Sequence, residues 1–262
     1  MRWENLTGGT FEDAVQQAQG VCVIPVGVIE YHGPHLPLGT DMMVCHEMAC
    51  AAAEREAAIV YPAYHFGVNT ETLRYPGGIR IRDDLLFALL ENICDEISRN
   101  GLKKIVLLSG HGGNRFFLPL FVQLALDKGK DYTPYYLNIV EGDPEVFKKV
   151  METPLHGHAC ECESSTMCYL RPDLVRMDLL DKGRDFPSHD RMGHLPGVYT
   201  PADWFARFPE HCAGDPRPAN AEKGKAVFET QVMALARLLG QIKKDQAGPA
   251  VYAEFGSGIY RR

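Results

Sequence analysis

The chain has 262 residues, 45% hydrophobic and 23% charged, which suits a globular protein with a substantial core. A formal charge of −7 gives no electrostatic footprint for nucleic acid or an anionic membrane surface. No run approaches the ~20 consecutive apolar residues of a membrane span, and no apolar signal core follows the first residues. The expected location is therefore the cytoplasm. There the eight cysteines, too sparse for a disulfide scaffold, would stay reduced.

In chain order, Thr10 followed by Asp13 reads as an N-cap variant opening a helix over 11–19. Val21-Cys-Val-Ile-Pro-Val26 is short, apolar and rich in β-branched residues, the pattern of a buried strand. A loop of about fifteen residues follows, dense in His, Pro and Gly, a length that is unusual without a function. Composition predicts a helix over 42–56, a strand near 58–61 and an irregular excursion over 62–81. An amphipathic helix from Asp83 to Asn100 ends at Gly101 in the C′ position. Lys104–Ser109 is the clearest strand and runs into Gly110-His-Gly-Gly-Asn114. A helix over 115–129, a strand near 134–140 and a helix over 144–151 continue the alternation. Residues 181–220, rich in Pro, Gly, His and Asp, read as a loop or lid of a single domain. A helix over 221–243 closes the fold, and no clear period follows Asp245.

Alternating strands and helices indicate a three-layer α/β/α fold with a mostly parallel sheet. Sites in such sheets form beyond the carboxyl ends of the strands. The polar loops after Val26 and after Ser109 both lie there.

Three segments carry candidate chemistry. In the first, Glu30 and His32 share one side of an extended chain, and Asp41 returns beyond a Pro/Gly-shaped loop. Carboxylates with imidazole suit Zn²⁺, Mn²⁺ or Fe²⁺, although a polar surface loop with satisfied histidines has the same composition. The second, Ser109 to Asn114, has glycines that let the backbone turn sharply and bring His111 near a ligand. It lacks the spacing of a phosphate cradle. The third, His156-Gly-His-Ala-Cys-Glu-Cys-Glu-Ser-Ser-Thr166, offers histidines, thiols and carboxylates. Cys160 and Cys162 have no second Cys or His pair at zinc-site spacing. Cys22, Cys45, Cys50 and Cys94 sit in apolar runs, where Cys acts as a small buried hydrophobe.

Together, Pro25 through Asp41, Ser109 through Asn114 and His158 through Ser165 resemble the creatininase (creatinine amidohydrolase) family in order and approximate spacing. The resemblance implies a site for two divalent metal ions (Zn, Mn or Fe), with Asp41 bridging them. Glu30 and His111 would complete one metal and His32 would serve the other. A hydroxide between the metals would attack a carbonyl carbon, and His158 would move a proton to the leaving nitrogen. The family's type enzyme carries Tyr-Glu where this chain has Gly112-Gly113, and that glutamate is a metal ligand. Glu161 is therefore expected to replace it, with Glu163 as the alternative. The same change argues against creatinine as substrate. Tyr31 and Gly112 are candidates to contact substrate, His35 to hold the loop, and Asn114 to orient the His111 turn. His46 and His65 read as satisfied histidines, and Arg74, Arg80 and Arg82 as solvated surface charges.

The expected function is hydrolysis of a C–N bond of amide type in a small molecule. Ring opening of a cyclic ketone or lactone is the alternative within the family. A metal-binding protein without activity is the alternative outside it, disfavoured because a binding site needs no proton shuttle. No nucleic-acid or membrane partner is expected. Family members commonly assemble as hexamers or other homo-oligomers, so a homo-oligomer is implied.

Overall fold

Residues 1–181, 183 and 185–256 are described by a computed structural model. Positions 182 and 184 of the expected lid, and 257–262 of the tail, lie outside the described residues. Four strands form one parallel sheet in the order β2-β1-β3-β4, with β1 Val21–Val26, β2 Ile59–Val60, β3 Lys104–Ser109 and β4 Thr133–Leu137. β1 and β3 pair along their full length, from Val21 opposite Lys104 to Val26 opposite Ser109. Their carboxyl ends are thereby level.

Alternate residues of these strands feed two cores. On one face Cys22, Ile24, Ile105 and Leu107 pack against α1 (Phe11–Gln17), α3 (Asp83–Arg99) and α4 (Asn114–Leu124). On the other, Val21, Val23, Val106 and Leu108 meet α2 (Thr40–Arg55) and α8 (Ala221–Lys244). The order of the remaining helices is α5 (Pro144–Val150), α6 (Glu161–Leu170), α7 (Asp203–Arg207) and α9 (Ala247–Gly256). The result is three layers, α/β/α. Each fully buried Leu or Ile in these cores stabilises the fold by roughly 1.5–3 kcal/mol.

The helix after β1 covers one face, whereas the helix after β3 covers the other. The two chains therefore diverge beyond adjacent strand ends and leave a crevice between them. Helix α6 is brought toward this crevice by α8. At Gly224 of α8 a Cβ would lie 1.8 Å from Ser165 O, so the two backbones touch where only glycine fits. The carboxyl end of α8 is held by Lys104, whose Nζ donates to the carbonyls of Ile242, Lys243 and Asp245 at 2.7–2.9 Å.

Two local expectations change. Thr10 does not cap α1: its hydroxyl donates to Thr7 O and accepts from Thr7 N instead, because the preceding turn offers nearer partners. The tail after Asp245, which has no period of its own, forms α9, started by Gly248 N donating to Asp245 Oδ1 and anchored by Tyr252 Oη on Ala125 O. The described residues of 181–220 hold the short α7 and otherwise turns, bends and irregular chain. All eight cysteines are free. Among the described residues no helix is long and apolar enough to cross a membrane.

Candidate metal centre

The first loop leaves β1 at Val26 and ends in the first turn of α2. Gly27 permits this path, since a Cβ there would lie 2.4 Å from Met42 N. Glu30 N donates to Leu38 O, Thr40 Oγ1 donates to Pro37 O, and Asn69 Nδ2 donates to Ile29 O, which fixes the loop from within and from the 62–81 excursion. The second loop joins β3 to α4. Asn114 ties it to the first: Nδ2 donates to Val26 O at 3.1 Å and Oδ1 accepts from Val68 N at 3.1 Å.

These loops bring Glu30, His32, Asp41 and His111 together, all four buried. Asp41 faces a different histidine with each oxygen: Oδ1 is 3.0 Å from His32 Nε2 and Oδ2 is 3.0 Å from His111 Nδ1. Glu30 Oε1 lies 2.9 Å from His111 Nδ1 and 3.9 Å from His32 Nε2. His32 Nδ1 donates to Glu30 O at 3.2 Å, which leaves Nε2 as the atom aimed at the carboxylates. Despite these approaches, Glu30 Oε1, Asp41 Oδ2 and His111 Nε2 have no hydrogen-bond partner. Leaving buried carboxylate oxygens unbonded costs about 1–3 kcal/mol each or more. A cation among them removes that cost, and the mixed oxygen–nitrogen donor set fits Zn²⁺, Mn²⁺ or Fe²⁺.

The electrostatics follow from the packing. Burial opposes charge on His32, yet Asp41 and Glu30 raise it to about 10. His111 is likewise raised by Glu30 and Asp41 against the effect of burial. Burial would lift the Glu30 carboxyl, but the charged His111 and the hydrogen bond from His211 hold it well below the usual range.

The third segment places its two glutamates in opposite directions. Glu161, expected at the metal site, points away from it. Its carboxylate accepts from Glu152 N, Thr153 N and the Thr153 hydroxyl at 2.8–3.1 Å and pairs with Lys223 Nζ at 2.5 Å. It is the first residue of α6, and its neighbours are the 152–153 turn and α8. Those donors, opposing burial, hold its carboxyl down at about 2. Glu163, two residues on, faces the crevice. Its Oε2 accepts from Ala159 N at 2.6 Å, and burial raises its carboxyl to about 7. Among the described residues, three sets of potential ligand atoms each lie within 4.8 Å of one another: Glu30–Asp41–His111, His32–His158–Glu163 and Glu30–His158–His211. Neither Cys160 nor Cys162 belongs to any of them.

His158 is buried, with Nε2 donating to Tyr31 O at 2.8 Å and Nδ1 3.6 Å from Glu30 Oε1. Burial and the His32 charge push its imidazole down to about 3, so Nδ1 presents a lone pair. His211 was not foreshadowed by any motif. It comes from the 181–220 segment, with φ of 56°, and is carried in by a two-way backbone bridge between His158 and Ala213. Its Nε2 lies 3.4 Å from Glu30 Oε2, and Trp204 Nε1 donates to its Nδ1 at 2.8 Å.

The other expected residues fall as follows. Tyr31 stacks on Tyr75 with centroids 4.7 Å apart, and a Cβ at Gly112 would meet open space. His35 Nε2 contacts Ser164 Oγ at 2.7 Å, joining the first loop to α6. His46 contacts Arg2 and Cys50, and His65 packs on Phe66. Arg80 and Arg82 pair with Asp83 and Asp84 at the surface, and Arg74 lies over Phe205.

The family model for creatinine amidohydrolase matches residues 4–239. The chain belongs to the creatininase family. Creatinine amidohydrolase of Pseudomonas putida is 27% identical over 255 residues, covering 88% of this chain and 93% of that protein. The mycofactocin precursor peptide peptidase of Mycolicibacterium smegmatis is 28% identical over 237 residues, covering 86% and 87%. A glutamate-to-glutamine variant of creatininase, solved in a Zn–Zn form, superposes with a TM-score of 0.80 at 25% identity, covering 93% of this chain and 98% of that one. Creatininase-family relatives of similar identity are thus named for different substrates, one for creatinine and one for a precursor peptide.

Proposed function

We propose that this creatininase-family protein is a metal-dependent hydrolase that cleaves an amide-type C–N bond of a small molecule with two divalent ions. The observation that carries the reading is the set of buried, unbonded carboxylate oxygens on Glu30 and Asp41 converging on imidazole nitrogens. Glu30, Asp41 and His111 would hold one ion; His32, Asp41 and Glu163 would hold the other. Asp41 suits the shared position because its two oxygens face different histidines. When bound, such a pair supplies Lewis-acid polarisation of a carbonyl and lowers the pKa of water to near neutrality.

The chain's own residues do the rest. Tyr31 O keeps the proton of His158 on Nε2, so Nδ1 is free to accept a proton and return it to the departing nitrogen. Burial of the histidines and carboxylates excludes bulk water and strengthens each electrostatic contact. Open space at Gly112 and the stacked Tyr31–Tyr75 pair would form walls for the substrate. The 181–220 segment, which buries His211 against Glu30, would act as the lid of a single catalytic domain. The exposed stripe Phe116, Leu120 and Leu124 on α4 favours a homo-oligomer. The cytoplasm is the proposed location.

The test is metal depletion followed by reconstitution with Zn²⁺, Mn²⁺ or Fe²⁺ and assay against amides, lactams and short peptides. The expected result is two ions per chain and turnover that Asp41→Asn abolishes. Two bound ions with no turnover on any C–N substrate would contradict the hydrolase reading.

A further inference from the structure

The two oxygens of Glu30 are in different surroundings. Oε1 faces His111, His158 and, farther off, His32 and lacks a hydrogen bond, whereas Oε2 lies 3.4 Å from His211 Nε2. Trp204 decides what His211 offers there. An indole N–H only donates, so the His211 Nδ1 it contacts at 2.8 Å must be the lone-pair nitrogen. The ring's proton then sits on Nε2, directed at Glu30 Oε2. A protonated Nε2 has no lone pair for a metal, although its position alone would group His211 with potential ligands.

The rest of the segment holds this arrangement. Tyr75 and Phe205 lie against the His211 ring with centroids 5.1 and 5.7 Å away, inclined to it by 29° and 27°. Tyr75 Oη donates to Pro209 O at 2.9 Å. His211 holds a left-handed backbone conformation, φ 56°, which a non-glycine residue adopts only at a cost. His211 is nonetheless almost fully buried.

We infer that Trp204 and His211 form a positioning relay, in which Trp204 fixes the His211 tautomer and His211 Nε2–H fixes Glu30 so that Oε1 is presented to the metal. The inference rests on Glu30 being a ligand, as proposed above. The segment that covers the centre thereby also sets the geometry of one ligand, which couples the order of this cover to metal affinity.

The experiment measures Zn²⁺ affinity and stoichiometry by competition with a chromophoric chelator, and the visible spectrum of the Co²⁺-loaded protein. The proteins are wild type, His211→Phe, His211→Gln, Trp204→Phe and the double variant His211→Phe/Trp204→Phe. His211→Phe keeps the stacked ring and removes the donor; affinity should fall about 10–100-fold and the Co²⁺ spectrum should shift, with two ions still bound at saturation. His211→Gln, which can place an amide N–H near the same oxygen, should recover most of the loss. Trp204→Phe alone should weaken binding, and adding it to His211→Phe should weaken binding no further, because its effect passes through His211. Unchanged affinity and spectrum in His211→Phe, additive losses in the double variant, or saturation at one ion would each overturn the relay. Wild type that binds no metal would instead remove the metal reading itself, and the relay with it.

Discussion

Replacing Glu161 by glutamine separates a structural anchor from Glu163, the proposed metal ligand, within one turn of α6. The Glu161 carboxylate is fully buried and gathers four donors: two backbone N–H groups, the Thr153 hydroxyl and Lys223 Nζ. An amide has one acceptor oxygen and turns an N–H toward at least one of those donors. Removing one partner of a buried ion pair costs about 3–5 kcal/mol. Lys223 keeps the Glu152 carboxylate at 2.6 Å and Pro218 O at 2.9 Å, but Glu152 is 68% exposed and so compensates weakly. The expected cost is therefore at the lower end, about 3 kcal/mol. At roughly 2–4 °C per kcal/mol for a domain near this size, the melting temperature of metal-free protein should fall by about 6–12 °C. Differential scanning calorimetry in excess chelator reads the stability, and plasma mass spectrometry of the loaded protein at a permissive temperature reads the metal content. The expected pair of results is a lowered melting point with two ions retained. A wild-type melting point with loss of one ion would refute the assignment of Glu161 as an anchor.

Glu163→Gln should do the converse, leaving the metal-free stability within about 1 kcal/mol of wild type while the second ion binds about 100-fold weaker, as titration would read. Lys104→Met should destabilise by about 1–2 kcal/mol in urea melts, by freeing three carbonyls at the end of α8, with metal content unchanged. Gly224→Ala should separate α6 from α8 and cost about 1–3 kcal/mol by urea melt, with weaker binding of the second ion because Glu163 moves with α6. Metal binding should release protons, since Glu30 and Asp41 keep His32 and His111 protonated through neutrality against the effect of burial. The sign is that raised imidazole pKa values make the ion compete with protons as pH falls, so apparent affinity should rise with pH by up to about tenfold per unit for each proton displaced. Calorimetry in buffers of different ionisation enthalpy measures this release, and binding heat independent of buffer would contradict it.

Much of the fold was legible because its strands are short, apolar and punctuated. Val21–Val26 and Lys104–Ser109 were bounded by glycines and buried on both faces, so pattern and structure coincide. α9 was missed because its stability comes from contacts with the chain near Ala125 and Asp245, which leave no period in the sequence. At the site, Glu30, His32, Asp41 and His111 were visible as dense polar loops at strand ends. The choice between Glu161 and Glu163 was not, since it depends on which glutamate meets Lys223 from a helix 62 residues away. His211 was hidden for a similar reason. Its role is conferred by Trp204 and by the backbone bridge to His158, both products of tertiary packing.

The most direct test of the two-ion centre is crystallography of zinc-loaded protein with anomalous data at the zinc edge. The account predicts two peaks per chain about 3.5–4 Å apart, with Asp41 between them, Glu30 and His111 on one, and His32 and Glu163 on the other. A single peak, or a second ion bound by Glu161 or His211, would contradict it.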